Sequence, residues 1–212
     1  MGFWGTLLAA RSDRPLPGLD GVRDLADCID WHGIGADGWQ AVQLQRAPVD
    51  WQVPMTGDDG QEHLLESVLA QTGQPVLAAL VLASDGAQLI GYSPRAGRWS
   101  GWLMLEVLVD YLGPEYTECL HVDDDEELPE DLDEFWQDRY RKACRPLYAL
   151  SPPADVAARH AVTWAVEAGY TPSVEAVEAV LASGETFVED QFFKLLAVLG
   201  LPTLTGVDPE TH

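Results

Sequence analysis

The residues best suited to chemistry are the acids of HVDDDEELPE, positions 121 to 130. Counting Asp123 as the first position of a calcium loop puts acids at its ligand positions: Asp123, Asp125, Glu127, Asp131 and Glu134. The sixth position, where such a loop needs glycine to turn sharply, is Leu128. Because ligand spacing without the turn cannot wrap the ion, we do not expect a calcium site.

The same acids could instead bind a transition metal together with His121. A closed site needs ligands fixed on rigid elements, which one histidine beside a run of acids does not provide. We therefore expect no metal and no other cofactor. Residues 123–130 nevertheless carry six carboxylates, which repel one another and must stay hydrated or meet cations: Asp123, Asp124, Asp125, Glu126, Glu127 and Glu130. Two interpretations stay open, a solvated linker and a docking surface for a basic protein.

A second candidate site is the polar stretch GYSPRAGRWSGW, residues 91–102. It combines two guanidinium groups with aromatic faces, in Tyr92, Arg95, Arg98 and Trp99. Such a set can clamp a carboxylate or phosphate, or anchor a protein interface. The alternative is that the arginines offset nearby acids while the tryptophans cover the core. We treat these four residues, with the six acids, as candidate partner-binding residues.

Catalytic motifs give no support for an enzyme. The glycines of GIGADGW match neither a dinucleotide-binding nor a Walker loop, and no serine lies in a G-x-S-x-G elbow. No catalytic residue is therefore expected, and the sequence favours a protein that is not an enzyme.

The composition of the chain limits the classes of partner that it is expected to bind. The 212-residue chain has a formal net charge of −23, with 12 basic residues against 35 acids. Such a field repels nucleic acids and anionic membranes and attracts basic proteins, although excess acid also simply keeps proteins soluble. The three cysteines are widely spaced, which favours reduced thiols, and no segment approaches 18 uninterrupted apolar residues. We expect a cytoplasmic protein that does not enter membranes.

Periodicity and turn residues predict the elements that position these groups. In the first half, the predicted elements begin with a strand over 3–11, a helix over 19–31, a turn-rich loop over 31–38 and a half-exposed strand over 39–46. They continue with a helix over 61–73 ending at Gly73, a hairpin over 75–94 around an Asp-Gly turn, a polar loop over 95–101 and a helix over 102–113. The first hairpin strand is apolar on both faces, so it should be central and covered.

Helices dominate the prediction for the second half. One covers 131–145, with acids in its first turn and bases near its end, which suits the helix dipole. Three more are expected, with N-caps at Ser151, at Thr171 and at a Thr186–Glu189 capping box. Gly169, Gly184 and Gly200 would end them.

Together these elements predict an α+β fold, with an N-terminal mixed sheet around a central hairpin, packed helices, and a C-terminal helical segment. We divide the chain into an α+β sheet region (1–113), an acidic connector (114–130) and a helical region (131–212). The last region can share one core with the first.

The stretches GFWGT, RSDRPL, DGWQAVQ and SDGAQLIGYSPRAGRW resemble acidic actinobacterial proteins that open with GFWGT and have no assigned chemistry. The resemblance covers mainly the first hundred residues and implies no catalytic residue. In general character, as a small acidic α+β chain with tryptophan-rich loops, the protein also resembles bacterial immunity proteins.

The leading hypothesis is a non-enzymatic binding protein of the immunity or antitoxin type that neutralises a basic protein. One alternative is an enzyme, a hydrolase or transferase, that acts on an anionic small molecule through Arg95 and Arg98. Another is a regulatory or structural adaptor that self-associates through its helical tail.

Overall fold

A computed structural model describes residues 2–45, 59–112, 131–149 and 151–206. The α+β expectation is confirmed: one seven-stranded sheet carries helices on its faces. The strands are β1 (Gly5–Arg11), β2 (Ile29–Ile34), β3 (Trp39–Leu44), β4 (Val76–Leu82), β5 (Gly86–Ser93), β6 (Gly97–Leu103) and β7 (Thr205–Gly206). The helices are α1 (Asp59–Thr72), α2 (Leu105–Leu112), α3 (Leu132–Ala149), α4 (Ala154–Glu167), α5 (Val174–Leu181) and α6 (Val188–Val198).

The strand order is β6-β5-β4-β1-β3-β2-β7. Every neighbouring pair is antiparallel, so the expected mixed pairing is wrong. For three of these pairs, β2–β3, β4–β5 and β5–β6, the reason is that a short connection joins the two strands, and short connections join antiparallel strands.

Both faces of the sheet are covered by other elements. Alternate side chains of a strand point to opposite faces, so the neighbours of each strand residue show what covers its face. On β1, Leu8 and Ala10 join a buried cluster with α1 and the segment 16–22, while Leu7 and Ala9 join a cluster with α4, α5 and α6. All seven residues of β4 are buried, as expected for a covered strand. The C-terminal helices therefore share a core with the sheet.

Helices α2 and α3 contribute two small buried clusters beside this core. Leu108 of α2 packs with Leu82 and Trp102, and Val109 packs with Cys144 of α3. Among the described residues, none of the helices has the length and apolar character that crossing a bilayer requires.

The helix predicted over 19–31 is wrong. The structure has a short 3-10 helix at Arg23–Cys28, followed by β2. Gly21, at φ +85°, interrupts the helical stripe, and Ile29 onward pairs with β3. The predicted loop over 31–38 is accordingly reduced to the turn Ala36–Gly38.

The strand predicted over 39–46 is confirmed as β3, but it is not half-exposed. Val42 and Leu44 face α1, and Trp39 and Ala41 are buried on the opposite face. Only Gln43 of this strand is partly accessible.

The polar loop predicted over 95–101 is also wrong, because most of it is the edge strand β6. Its register with β5 pairs Tyr92 with Arg98 and Gly91 with Trp99. The following helix therefore begins at Leu105 rather than at residue 102, after Met104 at φ +53° breaks the strand.

The predicted β4–β5 hairpin is confirmed, but its turn is not at Asp85-Gly86. The positive φ angles, 56° and 62°, belong to Ala83 and Ser84, and the Asp85 N–H donates to the Leu82 carbonyl at 2.9 Å. Gly86 serves another purpose, because a Cβ there would lie 2.4 Å from Cγ of the buried Leu108.

Replacing Gly86 by alanine is therefore expected to lower the free energy of unfolding by about 1–3 kcal/mol through overpacking. Gly18→Ala is the matched control, since a Cβ at that position meets no atom within 4 Å. Its effect should stay within about 0.5 kcal/mol. Urea unfolding followed by circular dichroism checks both variants, and equal stabilities would contradict the assigned role of Gly86.

Four tail helices were predicted, and the described part of the chain after residue 130 contains four, α3 to α6. Gly169 and Gly200 follow α4 and α6 with φ of 95° and 91°, as expected for helix ends, and α3 runs beyond residue 145 through Pro146. The prediction that Gly184 ends the third helix is wrong, because α5 ends at Leu181 with Ala182 as its cap. The predicted starts of the last three helices are wrong by one or two residues.

The corrected starts have identifiable causes. Pro153 precedes α4 without a side-chain cap, and the hydroxyl of Ser173, not Thr171, accepts the Ala176 N–H at the start of α5. The Thr186–Glu189 capping box does not form, because Glu189 accepts a hydrogen bond from the Ser84 hydroxyl at 2.7 Å and Phe187 is the cap residue of α6.

Candidate functional site

The six acids predicted to meet a partner (Asp123, Asp124, Asp125, Glu126, Glu127 and Glu130) lie outside the described residues. Their role as a docking surface or a linker stays a prediction. The other four candidate residues all lie on the β5–β6 hairpin, so their geometry can be described.

The hairpin separates the four candidates by exposure. Arg95 and Arg98 are exposed at and beside the turn, whereas Tyr92 and Trp99 retain only 8% and 6% of their accessible surface. Trp99 lies across Gly91 of the neighbouring strand, where a Cβ would come 2.0 Å from its Nε1. The arginines are thus the groups at the tip that an incoming molecule meets first.

A carboxylate from α4 already binds the backbone of this tip. The N–H groups of Arg95 and Ala96 donate to the two oxygens of Glu167 at 3.0 and 2.5 Å. Two adjacent amides are a ready anion site, and here the protein supplies the anion itself. The negative charge of Glu167 also lowers the positive potential that the two arginines would otherwise create.

Three residues earlier on the same helix, Trp164 holds the inner end of the hairpin. This fully buried indole donates its N–H to the carbonyls of Val76 and Tyr92, at 3.1 and 3.0 Å. Since Val76 and Tyr92 are paired across β4 and β5, the bond fixes α4 over the end of this ladder. The position of the tip is therefore set by α4.

Several basic side chains are neutralised by acids beside them. Arg23 pairs with Asp20 at 2.9 Å, Lys142 with Asp138 at 2.6 Å, and Arg159 with Asp155 at 2.6 Å. Lys194 pairs with Glu185. All these pairs have exposed members, so each adds little stability, but together they remove basic groups from the surface field.

Hydrogen bonds lower the pKa of three exposed carboxyl groups. The hydrogen bond from Lys142, assisted by the charges of Lys142 and Arg141, lowers the pKa of Asp138. The hydrogen bond from Arg159 lowers the pKa of Asp155 in the same way, with the charge of Arg159 contributing. The Ser173 hydroxyl lowers the pKa of Glu175 by donating a hydrogen bond to it. These acids therefore keep their negative charge to a lower pH than carboxyl groups without these partners would.

A cleft of about 640 Å³ opens at the end of the sheet where β6 gives way to α2. Its walls come from the β6–α2 junction, the end of α3, the start of α4 and the end of α5. The described lining residues are Trp102, Met104, Leu105, Glu106, Val107, Tyr148, Ser151, Pro152, Pro153, Ala154, Ala157, Leu181, Ala182, Ser183 and Gly184.

Sequence reasoning missed this cleft. Its described walls come from three stretches that are far apart in the chain, 102–107, 148–157 and 181–184, and none of them carries a motif. The signals that the sequence did offer were the tryptophans Trp99 and Trp102 and the Pro152-Pro153 pair, and neither indicates a cavity by itself.

Metal binding has no candidate in the described part of the chain, where no three His, Cys, Asp or Glu side chains form a group able to hold an ion. The described cysteines, Cys28 and Cys144, are free thiols.

By fold and surface, the chain belongs to the α+β class, with an antiparallel sheet, helices on both faces and an excess of acid. No protein-family model, curated protein or solved structure matches it. Its function must therefore be inferred from its own residues.

Proposed function

We propose that this chain is a non-enzymatic binding protein of the immunity or antitoxin type, which neutralises a basic protein partner in the cytoplasm. The observation that supports the proposal is the unbalanced charge. The chain carries a net charge of −23, and four of its basic side chains are already paired with neighbouring acids. A basic protein approaching it therefore meets a predominantly negative field.

Such a field acts mainly on the association rate, because it concentrates and orients the partner before contact is made. In this proposal Asp123–Glu127 and Glu130 direct the encounter. The exposed tip at Arg95 and Arg98 provides a second contact of opposite sign, which would fix the orientation of a partner that also carries acids.

The enzyme alternative is less well supported by the geometry around Arg95 and Arg98. A clamp for an anionic substrate needs convergent donors in a concave site. Here the two arginines project from a hairpin tip whose backbone donors are bound to Glu167, and neither is among the described residues of the cleft. The adaptor alternative has to overcome the repulsion between two copies that each carry a charge of −23.

Capture from the lysate of the native host tests the proposal. The immobilised protein is loaded at low salt and eluted with a salt gradient, and the eluted proteins are identified by mass spectrometry. An unrelated acidic protein of similar net charge serves as the control bait, because any polyanion retains basic proteins.

We expect one basic protein to elute in a sharp step, at near-equal stoichiometry, from this chain and not from the control. The same set of proteins on both baits would contradict the proposal, since retention would then reflect ion exchange alone.

A further inference from the structure

The cleft beside α2 has partly exposed apolar groups on its rim. Val107 of α2 is 41% exposed and Tyr148 of α3 is 43% exposed, and both line the cleft. Single exposed apolar side chains are ordinary on protein surfaces, but several that share one concavity indicate a site for another molecule.

The floor of the cleft is buried and largely apolar. Trp102, Ala157 and Leu181 contribute to it and retain at most 7% of their accessible surface. Met104 holds a left-handed backbone conformation, at φ +53°, between β6 and α2. A residue in that region persists only where its surroundings determine its conformation, so the junction forming this wall is fixed before any ligand arrives.

The charge of the lining residues determines which kind of ligand the cleft favours. Glu106, exposed in the first turn of α2, is the one carboxylate among the described lining residues, and none of these residues is basic. Asp155, beside the lining residue Ala154, is paired with Arg159 and so is already balanced. An anion would meet Glu106 uncompensated, whereas a cation placed next to an apolar group would pair with it. The aromatic face of Tyr148 can also attract a cation.

We infer that this cleft receives an apolar side chain of the basic partner, flanked in the partner's sequence by a lysine or arginine that pairs with Glu106. The volume of about 640 Å³ lies within the range of roughly 300–1,000 Å³ that is usual for ligand sites, and it accommodates a large aromatic or aliphatic side chain. The inference rests on the proposed function for the identity of the occupant as a basic protein.

Short peptide probes test the site without the natural partner. N-acetyl-phenylalanyl-arginine amide is titrated into the ¹⁵N-labelled full chain, and amide shifts are followed by NMR. N-acetyl-phenylalanyl-glutamate amide and N-acetyl-seryl-arginine amide are the controls for charge and for the apolar group.

We expect the phenylalanyl-arginine probe to shift the amides of lining residues such as Val107 and Gly184, and to bind more tightly than either control. Glu106→Gln should weaken it by about two- to fivefold, as for an exposed ion pair. Ala182→Trp, at an exposed lining position, should abolish binding by filling the cleft while leaving the remaining spectrum unchanged.

Two results would overturn the inference. One is the absence of shifts at the lining amides up to the solubility limit of the probe. The other is equal affinity for the arginine and glutamate probes. Failure here is separable from failure of the proposed function: a captured partner that binds Ala182→Trp as tightly as the original chain removes the cleft from the interface and leaves the function standing. Probe binding without any captured partner would support the cleft as a binding site and contradict the proposed function.

Discussion

Trp164→Ala is expected to lower the free energy of unfolding by about 3–5 kcal/mol, the usual cost of truncating a large buried aromatic side chain. The indole is fully buried, packs 6.0 Å from the ring of Trp39, and donates its N–H to two strand carbonyls. Alanine would leave a cavity and two carbonyls without this donor. Both losses act at the contact between α4 and the sheet.

Guanidinium unfolding followed by circular dichroism measures the change. The matched control is Val166→Ala, two residues along the same helix, where the side chain is 54% exposed and the effect should stay within about 0.5 kcal/mol. Hydrogen exchange adds a sharper readout, because a shared core requires amides of β1 and β4 to lose protection together with those of α4. Loss confined to α4 would show that the helices unfold independently of the sheet.

Neutralising the acidic run is expected to slow association with the captured basic partner by about 10- to 10³-fold at low salt, the range over which electrostatic steering accelerates association. The variant changes Asp123, Asp124 and Asp125 to Asn, and Glu126 and Glu127 to Gln. The dissociation rate should change much less, because charge complementarity acts chiefly on the encounter. Stopped-flow kinetics at several salt concentrations provides the measurement, and the difference should shrink as salt rises.

A control variant separates the run from net charge. It neutralises five exposed acids elsewhere, at Asp13, Asp24, Asp27, Asp85 and Asp190, and so changes the formal charge by the same amount. If the two variants slow association equally, the run has no special place in recognition. An unchanged rate in the first variant would refute its steering role altogether.

Local signals predicted much of the fold. The apolar run of β4 indicated a strand covered on both faces, and proline and glycine positions indicated the number of tail helices. These features depend on residues close together in sequence, so a single pass along the chain finds them. The start of α5 was misplaced because Ser173 could cap it as well as Thr171 could, and the sequence does not choose between neighbouring hydroxyls.

Two of the three missed strands, β2 and β6, are interrupted in sequence by glycines that look like turn residues. In β2, Gly33 instead makes room for a tryptophan, since a Cβ there would lie 2.2 Å from the ring of Trp31; in β6, Gly101 lies against α4, where its Cβ would come 3.4 Å from that of Ala157. Glycine in a strand often marks such a close approach. The cleft was beyond sequence reasoning for another reason, since its walls meet only after the whole chain has folded.

The position of β4 in the chain has a consequence for biosynthesis. This strand is buried on both faces, but the helices that cover one of those faces begin at Ala154 and end at Val198. At about 5–20 residues per second, synthesis proceeds from the end of β4 to the end of α6 in roughly 6–23 s. During that interval the leucine, alanine and valine side chains on this face of β4 are exposed, because the helices that cover them have not yet been synthesised. The nascent chain therefore exposes an apolar surface, prone to nonspecific association, that the folded protein buries. The time needed to bury this surface is set by the speed of translation.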